Sequence, residues 1–389
     1  GQRPKPEVAP PNGKKVAIVG AGPAGLTAAY YLAIKGYAVT VYEALPVAGG
    51  MLAVGIPEYR LPKKTLQAEI DSILELGVDL KLGQALGRDF SLDDLKAKGY
   101  DAIYLAIGAQ KDQKMGIEGE DLQGVYAGVN FLRQLNLGEE MDVKGKVVAV
   151  IGGGNVAMDA ARSSLRLGAK EVHILYRRQK EDMPALREEI EEAEKEGIKI
   201  SCQVNPVAIK GENGKVVAVT CARQRMGEFD RSGRRRPVPI EGSEFDLPVD
   251  AVIAAIGYKV DPESVPEGIE TTRWGTIVAG EKDCRTNVAG VFASGDCVSG
   301  PDTVIGAIAA GKKAAVAIDQ FLDGDGVVVP EMKYVRERTA PVIEEKTARV
   351  HGRALDVAER LQGFAEVELG YTEEQAVAEA ARCLRCDVK

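Results

Sequence analysis

Histidine, long apolar runs and closely spaced cysteines are all scarce in this 389-residue chain. Only His173 and His351 are present, so a histidine-based metal centre is not expected. The six cysteines are too scattered for a disulfide framework, which fits a reducing compartment. No apolar run reaches the about 18 residues of a membrane span, and the polar lead GQRPKPEVAPPNG lacks a signal-peptide pattern. We therefore expect a cytoplasmic protein without membrane insertion.

A strong excess of one charge is also missing. The 50 basic and 58 acidic side chains give a net charge of −8, which argues against nucleic acid or an anionic membrane as a partner. A length of 389 residues with 45% apolar residues is long for a single hydrophobic core. Two domains are therefore expected.

A dinucleotide-binding motif lies in KKVAIVGAGPAGLTAAYYLAIKGYAVTVYEA, which reads as strand, glycine turn, helix and strand. Gly20 permits the tight turn, Gly22 lets the backbone approach a pyrophosphate, and Gly25 lets the helix pack close to the sheet. Glu43 ends the second strand, where an acid accepts hydrogen bonds from a ribose diol. A turn that serves packing alone is the less favoured alternative. The predicted contacts are Gly20, Gly22, Pro23, Ala24, Gly25, Glu43 and Ala44.

The same signature returns in GKVVAVIGGGNVAMDAARSSLRLGAKEVHILYRR, with Ala157 in place of the third glycine. Its second strand ends in Arg177 and Arg178 instead of an acid. A guanidinium there attracts a 2′-phosphate through bidentate hydrogen bonds, so the motif predicts NADP(H). If the arginines are only solvated charges at a strand end, NAD(H) is the alternative. The predicted contacts here are Gly152, Gly154, Asn155, Val156, Ala157, Arg177 and Arg178.

Each unit is followed by an apolar run that ends in glycine, DAIYLAIGA after the first and VDAVIAAIGY after the second. We interpret these as return strands, with the turns at Gly108 and Gly257 lying over the bound nucleotides. The pattern predicts an α/β protein with two coupled Rossmann-like dinucleotide-binding domains.

The stretch GVFASGDCVSGPDTVIGAIAAGKKAAVAI adds a strand followed by Gly295 and Asp296. A carboxylate at a strand end can accept hydrogen bonds from ribityl or phosphate-side hydroxyls. The helix predicted to begin near Thr303 and Val304 directs its free N–H groups at an anion-like oxygen. All four residues are therefore predicted contacts of a flavin nucleotide.

These motifs, together with GRRRPVPIEGSEFDLPVDAVIAAIG, resemble the small subunit of NADPH-dependent glutamate synthase. That family also includes the NADPH-binding subunits of ferredoxin-linked transhydrogenases. The resemblance covers about residues 13–325 and implies hydride transfer between NAD(P)H and FAD, with no catalytic acid or base. It implies a fold like that of pyridine nucleotide-disulfide oxidoreductases, with an FAD domain at 13–112 and 250–325, an inserted NAD(P)H domain at 113–249 and a C-terminal tail at 326–389.

By the same resemblance, GGMLAVGIPEYRLPK lies along the flavin, with Gly50, Met51, Leu52 and Arg60 as candidate contacts. Flavoprotein disulfide reductases share the layout but add a redox-active cysteine pair near the flavin. Residues 45–63 contain no cysteine, and Cys202 and Cys221 are too far apart to form CxxC. Dithiol chemistry is therefore not expected. The charged stretch REEIEEAEKEG, residues 187–197, is interpreted as a solvated helix face.

The family usually carries an N-terminal iron–sulfur domain introduced by a motif like EAARCLRC. Here the chain begins almost directly at the FAD motif, and EAARCLRC closes it, with Thr372 and Gln375 as a capping box. Cys383 and Cys386 lie one helical turn apart, but an iron–sulfur cluster needs four ligands. A structural pair of thiols is the favoured interpretation, and half of a cluster site completed by another chain is the alternative.

From these features we expect a flavoprotein subunit that exchanges single electrons with a ferredoxin-like iron–sulfur protein in a larger complex. The sequence does not identify the final acceptor, since glutamate synthesis, transhydrogenation and metalloenzyme reactions would use this module unchanged. Two alternatives stay open: a non-catalytic FAD-bound docking or assembly subunit, and an NADH-specific relay in a metalloenzyme complex.

Overall fold

Two five-stranded parallel sheets dominate the computed structural model, which describes residues 6–230, 233–328 and 348–382. The first sheet has the strand order Val291–Ala293, Ala102–Leu105, Lys15–Val19, Ala38–Tyr42 and Asp79–Lys81. The second has the order Val125–Ala127, Ala251–Ala254, Val147–Ile151, Glu171–Tyr176 and Lys199–Cys202. Both sheets place the strand before the glycine turn in the middle. The predicted α/β fold with two Rossmann-like units is confirmed.

The strands of the first sheet come from two parts of the chain, one before and one after the segment that forms the second sheet. Val291–Ala293 pairs with Ala102–Leu105, although the second sheet is formed by the chain between them. At the crossing, Lys111–Asp112 pairs antiparallel with Tyr258–Lys259. The second sheet continues past residue 249, where the sequence placed its boundary, because Ala251–Ala254 pairs with Val147–Ile151. The other domain limits stay predictions.

Helices cover the sheets, and the longest ones pack through small residues. Pro23–Ile34 lies against Val304–Phe321 so closely that a Cβ on Gly311 would be 2.1 Å from the carbonyl oxygen of Ala24. None of the described helices is long and apolar enough to cross a bilayer. The remaining α-helices are Met51–Val54, Lys63–Leu74, Leu92–Ala97, Gly128–Asn136, Asn155–Arg166, Arg187–Lys195, Asp296–Ser299, Val357–Arg360 and Glu373–Ala381, with 3₁₀ turns at Lys180–Asp182 and Pro262–Ser264.

An antiparallel sheet is built around the long strand Lys215–Phe229, which pairs with Val204–Glu212, Arg235–Pro239 and Phe245–Pro248. We call Lys215–Phe229 and Arg235–Pro239 together the extended hairpin. Farther along, Arg353–Ala354 pairs with Glu368–Gly370. The last described helix begins with the predicted capping box, in which Thr372 and Gln375 exchange hydrogen bonds with each other's backbone.

Candidate dinucleotide-binding sites

The first glycine turn combines two tight positions with one open position. A Cβ on Gly20 would lie 2.3 Å from the Ala106 carbonyl oxygen, and one on Gly25 would lie 1.9 Å from that of Gly20. On Gly22, by contrast, the nearest atom would be the Cα of Gly50 at 3.9 Å. Gly22 precedes the helix Pro23–Ile34, whose first N–H groups have no partner within the helix. This open space at a helix N-terminus suits a pyrophosphate.

Glu43 stands at the predicted ribose position and also holds the turn together. Its side chain is buried, with 5% of the residue exposed. One carboxylate oxygen accepts the N–H of Ala21 at 2.8 Å and the other accepts that of Leu45 at 2.9 Å. Burial raises the pKa of Glu43, while these backbone donors act to lower it. The carboxylate has lone pairs left for a ribose diol, and that role stays a prediction.

Asp296 carries an unsatisfied acceptor within the first unit. Its Oδ1 is buried without a hydrogen-bond partner, and burial raises the pKa of the carboxyl to about 6. A buried oxygen of this kind is costly unless a ligand donates to it, and a ribityl hydroxyl of FAD is such a donor. A cavity of about 240 Å³ adjoins it, lined in part by Gly295, Asp296, Gly306 and Ala307.

The predicted helix start is observed beside this acid. Thr303 caps the helix Val304–Phe321, and its hydroxyl accepts the N–H of Gly306 at 3.2 Å. At this end of the helix Val304 and Ile305 are 38% and 71% exposed. The cap, the free N–H groups and the unpartnered Oδ1 of Asp296 fit the requirements of FAD.

The loop predicted to follow the flavin begins against the first glycine turn. The N–H of Gly49 donates to the carbonyl of Ala21 at 2.8 Å, and Gly50 has a φ of +55°. A Cβ on Gly50 would lie 2.8 Å from the Cα of Gly22. This contact brings Gly50 and the following helix Met51–Val54 to the turn. Arg60, farther along the loop, instead forms ion pairs with the second unit.

The second glycine turn repeats the geometry of the first. A Cβ on Gly152 would lie 2.1 Å from the Ala255 carbonyl oxygen, whereas on Gly154 the nearest atom would be 3.9 Å away. Ala157 is fully buried, so a methyl group fits where the first turn needs glycine. Asn155, the first residue of the helix, accepts the N–H of Leu186 through its side chain at 3.0 Å. Gly154 is thus the open position of this turn, and a phosphate beside it stays a prediction.

The two arginines predicted to bind a 2′-phosphate lie in different environments. Arg177 is exposed, whereas Arg178 is only 7% exposed. The guanidinium of Arg178 pairs with Asp230 at 2.6 Å and donates through Nε to the carbonyl of Arg235 at 3.1 Å. Both partners belong to the chain at the end of the extended hairpin, far from Arg178 in sequence. The exposed Arg177 is the better placed of the two for a ligand phosphate.

The interpretation of residues 187–197 as a solvated face is wrong for part of that stretch. The side chains of Glu189 and Glu196 are 13% and 0% exposed. Glu196 pairs with Arg162 at 2.8 Å and with Arg166 at 2.7 Å. Glu189 and Glu196 are seven residues apart, which places them on one helix face, and this face turns inward. Composition alone does not reveal buried carboxylates that are neutralised by arginines on another helix.

The thiols of Cys202, Cys221, Cys284 and Cys297 are free. Cys383 and Cys386, the predicted half of a cluster site, lie outside the described residues. Across the described ranges, no three histidine, cysteine, aspartate or glutamate side chains are grouped in a way that could hold a metal ion.

Two parallel sheets, each with a glycine turn at a helix N-terminus, define an oxidoreductase of the double-dinucleotide class. The model of the family described as "Pyridine nucleotide-disulphide oxidoreductase" matches residues 14–311, so the chain belongs to this family. The predicted class, an FAD-dependent NAD(P)H oxidoreductase, is thereby confirmed.

Named relatives confirm the resemblance to glutamate synthase. The chain is 40% identical over 341 residues to "Glutamate synthase [NADPH] small chain" of Escherichia coli, covering 83% of this chain and 72% of the relative. It is 48% identical over 388 residues to "NADP(+)-dependent formate dehydrogenase subunit beta" of Moorella thermoacetica, covering 96% of this chain and 55% of the relative. "NADPH-Fe(3+) oxidoreductase subunit beta" of Geobacter sulfurreducens is 42% identical over 425 residues, with 99% of this chain and 62% of the relative covered. The chain therefore spans little more than half the length of the last two relatives.

Solved structures share the fold at lower identity. FprA from Mycobacterium tuberculosis, in complex with NADPH, has a TM-score of 0.69 and 22% identity, covering 81% of this chain and 85% of its own. Thioredoxin reductase from T. acidophilum has a TM-score of 0.60 and 24% identity, with 80% and 99% covered. At this identity the likeness concerns the fold alone.

Proposed function

We propose that this chain is the NADPH-oxidising flavoprotein subunit of a larger complex, with FAD at the first glycine turn and NADPH at the second. The observation that carries the proposal is the matched pair of open positions, Gly22 and Gly154, each at a helix N-terminus and each paired with a different charge. Glu43 suits a ribose diol, and Arg177 suits a 2′-phosphate. When bound, the two nucleotides supply the redox chemistry, in which a hydride leaves the dihydronicotinamide, NADPH is oxidised and FAD is reduced.

The protein's own residues bind and orient in this proposal. The N–H groups of the helices that follow Gly22 and Gly154 hold the two pyrophosphates. Asp296 accepts from the ribityl chain of FAD, which satisfies its buried Oδ1. The helix that begins after Thr303 directs its positive end at the flavin. No side chain needs to act as a general acid or base.

We further propose that single electrons leave FAD for a ferredoxin-like iron–sulfur protein. The names of the relatives support a role within a complex, since they are called subunits or chains of larger enzymes. The iron–sulfur partner rests on the family resemblance of the sequence motifs. A cluster shared through Cys383 and Cys386 stays a prediction.

Anaerobic stopped-flow mixing of the flavin-loaded chain with NADPH tests the first part. We expect fast bleaching of the flavin with NADPH and slower bleaching with NADH. Equal rates would favour an NADH-linked relay, and no bleaching despite bound FAD would favour a docking subunit.

The second part needs a partner from the same host. The reduced chain should reoxidise slowly alone and quickly after a competent iron–sulfur protein is added. Fast turnover with a small organic or disulfide substrate, without any cluster protein, would contradict the electron-relay proposal.

A further inference from the structure

One loop of the first unit reaches into the second unit and ends in buried ion pairs. The guanidinium of Arg60 binds both carboxylate oxygens of Asp159, at 2.9 and 3.0 Å, and its Nε lies 3.1 Å from Glu189. The side chains of Asp159 and Glu189 are 6% and 13% exposed. We call the group around this contact the junction cluster, which consists of Tyr59, Arg60, Asp159, Arg162, Arg166 and Glu189.

Tyr59 anchors the same loop from the other side. It is 1% exposed, and two guanidinium groups contact its ring, with Arg166 at 3.9 Å and Arg162 at 4.8 Å from the ring centre. Both arginines are in turn paired with Glu196. Cation–π contacts to desolvated arginines are stronger than exposed ones and require the cation over the ring. These contacts tie the loop to the helix Asn155–Arg166.

A segment near the end of the described chain, residues 360–367, packs against the junction cluster. Arg360 forms ion pairs with Glu192 and, at 3.8 Å, with Glu196. The ring of Phe364 lies 6.3 Å from that of Tyr59, and the N–H of Val367 donates to the Tyr59 carbonyl at 3.0 Å. This segment contacts both units and shields the ion pairs from water.

The junction cluster connects the two glycine turns. Its loop begins at Gly50, next to the first glycine turn, and ends at Arg60. Asp159 lies one helical turn beyond Asn155, on the helix that starts at the second glycine turn. The same helix thus carries the NADPH phosphate site at its start and the Arg60 contact one turn later.

Buried ion pairs contribute little net stability because both charges must leave water, so stability alone does not explain this arrangement. Arg60 is held at two points, through Nη1 by Asp159 and through Nε by Glu189, and two charge-assisted contacts of one planar guanidinium do fix its direction. We propose that Arg60 and Asp159 are positioning residues that hold the second unit in the orientation that aligns nicotinamide with flavin. This inference rests on the proposed transfer from NADPH to FAD.

The test compares Arg60→Gln with the charge-conserving Arg60→Lys and with Arg187→Gln, which removes an exposed arginine from the nearby helix. At saturating NADPH, flavin bleaching in Arg60→Gln should be slower by roughly tenfold to a hundredfold, the cost of a misaligned reacting pair. Arg60→Lys should recover part of the rate, and Arg187→Gln should match the unmodified chain. FAD content and the Kd for NADP⁺ should change by less than about threefold, because neither phosphate site is touched.

A second readout needs no nucleotide. Hydrogen exchange at the Val367 amide should become faster in Arg60→Gln, because the amide bonds to the adjoining Tyr59 carbonyl. If Arg60→Gln does not fold, Asp159→Asn removes the same pair from the other side. In the double variant the rate loss should be smaller than the sum of the two single losses, because both single variants remove the Arg60–Asp159 contact.

Several results would overturn the inference. Unchanged bleaching in folded Arg60→Gln removes the positioning role. Loss of FAD with normal bleaching of the remaining flavin makes Arg60 an FAD contact instead. An unmodified chain that binds both nucleotides and never bleaches contradicts the proposed function and this inference together, whereas a defect confined to the variants supports both.

Discussion

The two nucleotide-binding units share one plan but treat the charge at the end of their second strand differently. In the first unit Glu43 is buried and accepts two N–H groups of its own turn. In the second unit Arg177 is exposed, and Arg178 is held by Asp230 next to the extended hairpin. The charge proposed to bind the FAD ribose is therefore held by its own turn, whereas in the second unit a distant segment holds Arg178 and leaves Arg177, the proposed 2′-phosphate contact, exposed. A resident cofactor suits the first arrangement, and an exchanging one suits the second.

The largest effect is expected at the tight glycine that only the first unit has. Gly25→Ala would place a Cβ 1.9 Å from the Gly20 carbonyl oxygen, whereas Ala157 already occupies the matching position in the second unit. We expect a loss of about 3 kcal/mol or more in the free energy of unfolding, at the upper end for overpacking. Denaturant unfolding of the flavin-free chain measures it.

Gly22→Ala is the matched control, since its Cβ would be 3.9 Å from the nearest atom. It should fold with nearly normal stability and bind FAD poorly. If Gly25→Ala and Gly22→Ala were equally stable, the close contact at Gly25 would not limit the size of the residue there.

Glu43→Gln should affect both stability and FAD binding. The amide nitrogen of glutamine must face one of the two N–H donors, from Ala21 or Leu45, so one hydrogen bond is lost. The expected loss in unfolding free energy is about 1–3 kcal/mol. Arg177→Gln, the equivalent change in the second unit, should alter stability by less than about 0.5 kcal/mol, as an exposed substitution does. Full FAD content and a normal FAD affinity in Glu43→Gln would show that Glu43 does not bind the FAD ribose.

A buried acid in each unit predicts a pH dependence of stability, because burial raises the pKa of Asp296 in the first unit and of Asp159 in the second to about 6. The pKa of Asp296 is about 6 in the folded chain and lower when unfolded, so the folded state binds more protons between these values. The flavin-free protein should therefore lose stability as pH rises from about 4 to about 6. Thermal unfolding at several pH values, with Asp296→Asn as the control, measures the effect. The slope should be shallower in Asp296→Asn, and a slope that is unchanged there assigns the whole effect to another group such as Asp159.

Features that depend on neighbouring residues could be predicted from the sequence, and features that depend on distant residues could not. The strands, glycine turns, helix starts and the Thr372 capping box could be predicted, because neighbouring residues determine them. The pairing of Arg178 with Asp230, the burial of Glu196 and the contacts of Arg60 could not, because their partners are tens of residues away. Charge patterns along the chain do not state which charges the fold brings together.

A smaller effect is expected from the exposed arginine of the second unit. Arg177→Gln should weaken the preference for NADPH over NADH by roughly tenfold, as expected for one charge-assisted contact of about 1.5 kcal/mol. Flavin bleaching rates at low concentrations of each nucleotide measure the preference. Arg178→Gln should instead lower stability by removing the contacts to Asp230 and Arg235. If Arg178→Gln alone abolishes the preference and Arg177→Gln leaves it unchanged, the assignment of the two arginines is reversed.

The smallest effect concerns Asp230, whose carboxylate holds Arg178, the neighbour in sequence of the proposed 2′-phosphate contact Arg177. Asp230→Asn keeps a hydrogen-bond acceptor for the guanidinium at 2.6 Å and removes the negative charge. Partly exposed charge pairs contribute about 0.2–1 kcal/mol, so the preference for NADPH should rise by roughly two- to fivefold. The comparison of bleaching rates with NADPH and NADH measures this, with Asp246→Asn as a control in the same antiparallel sheet, away from Arg178. A fall in the preference would mean that Asp230 serves mainly to orient Arg178, and that the NADPH site depends on the extended hairpin for its geometry more than for its charge.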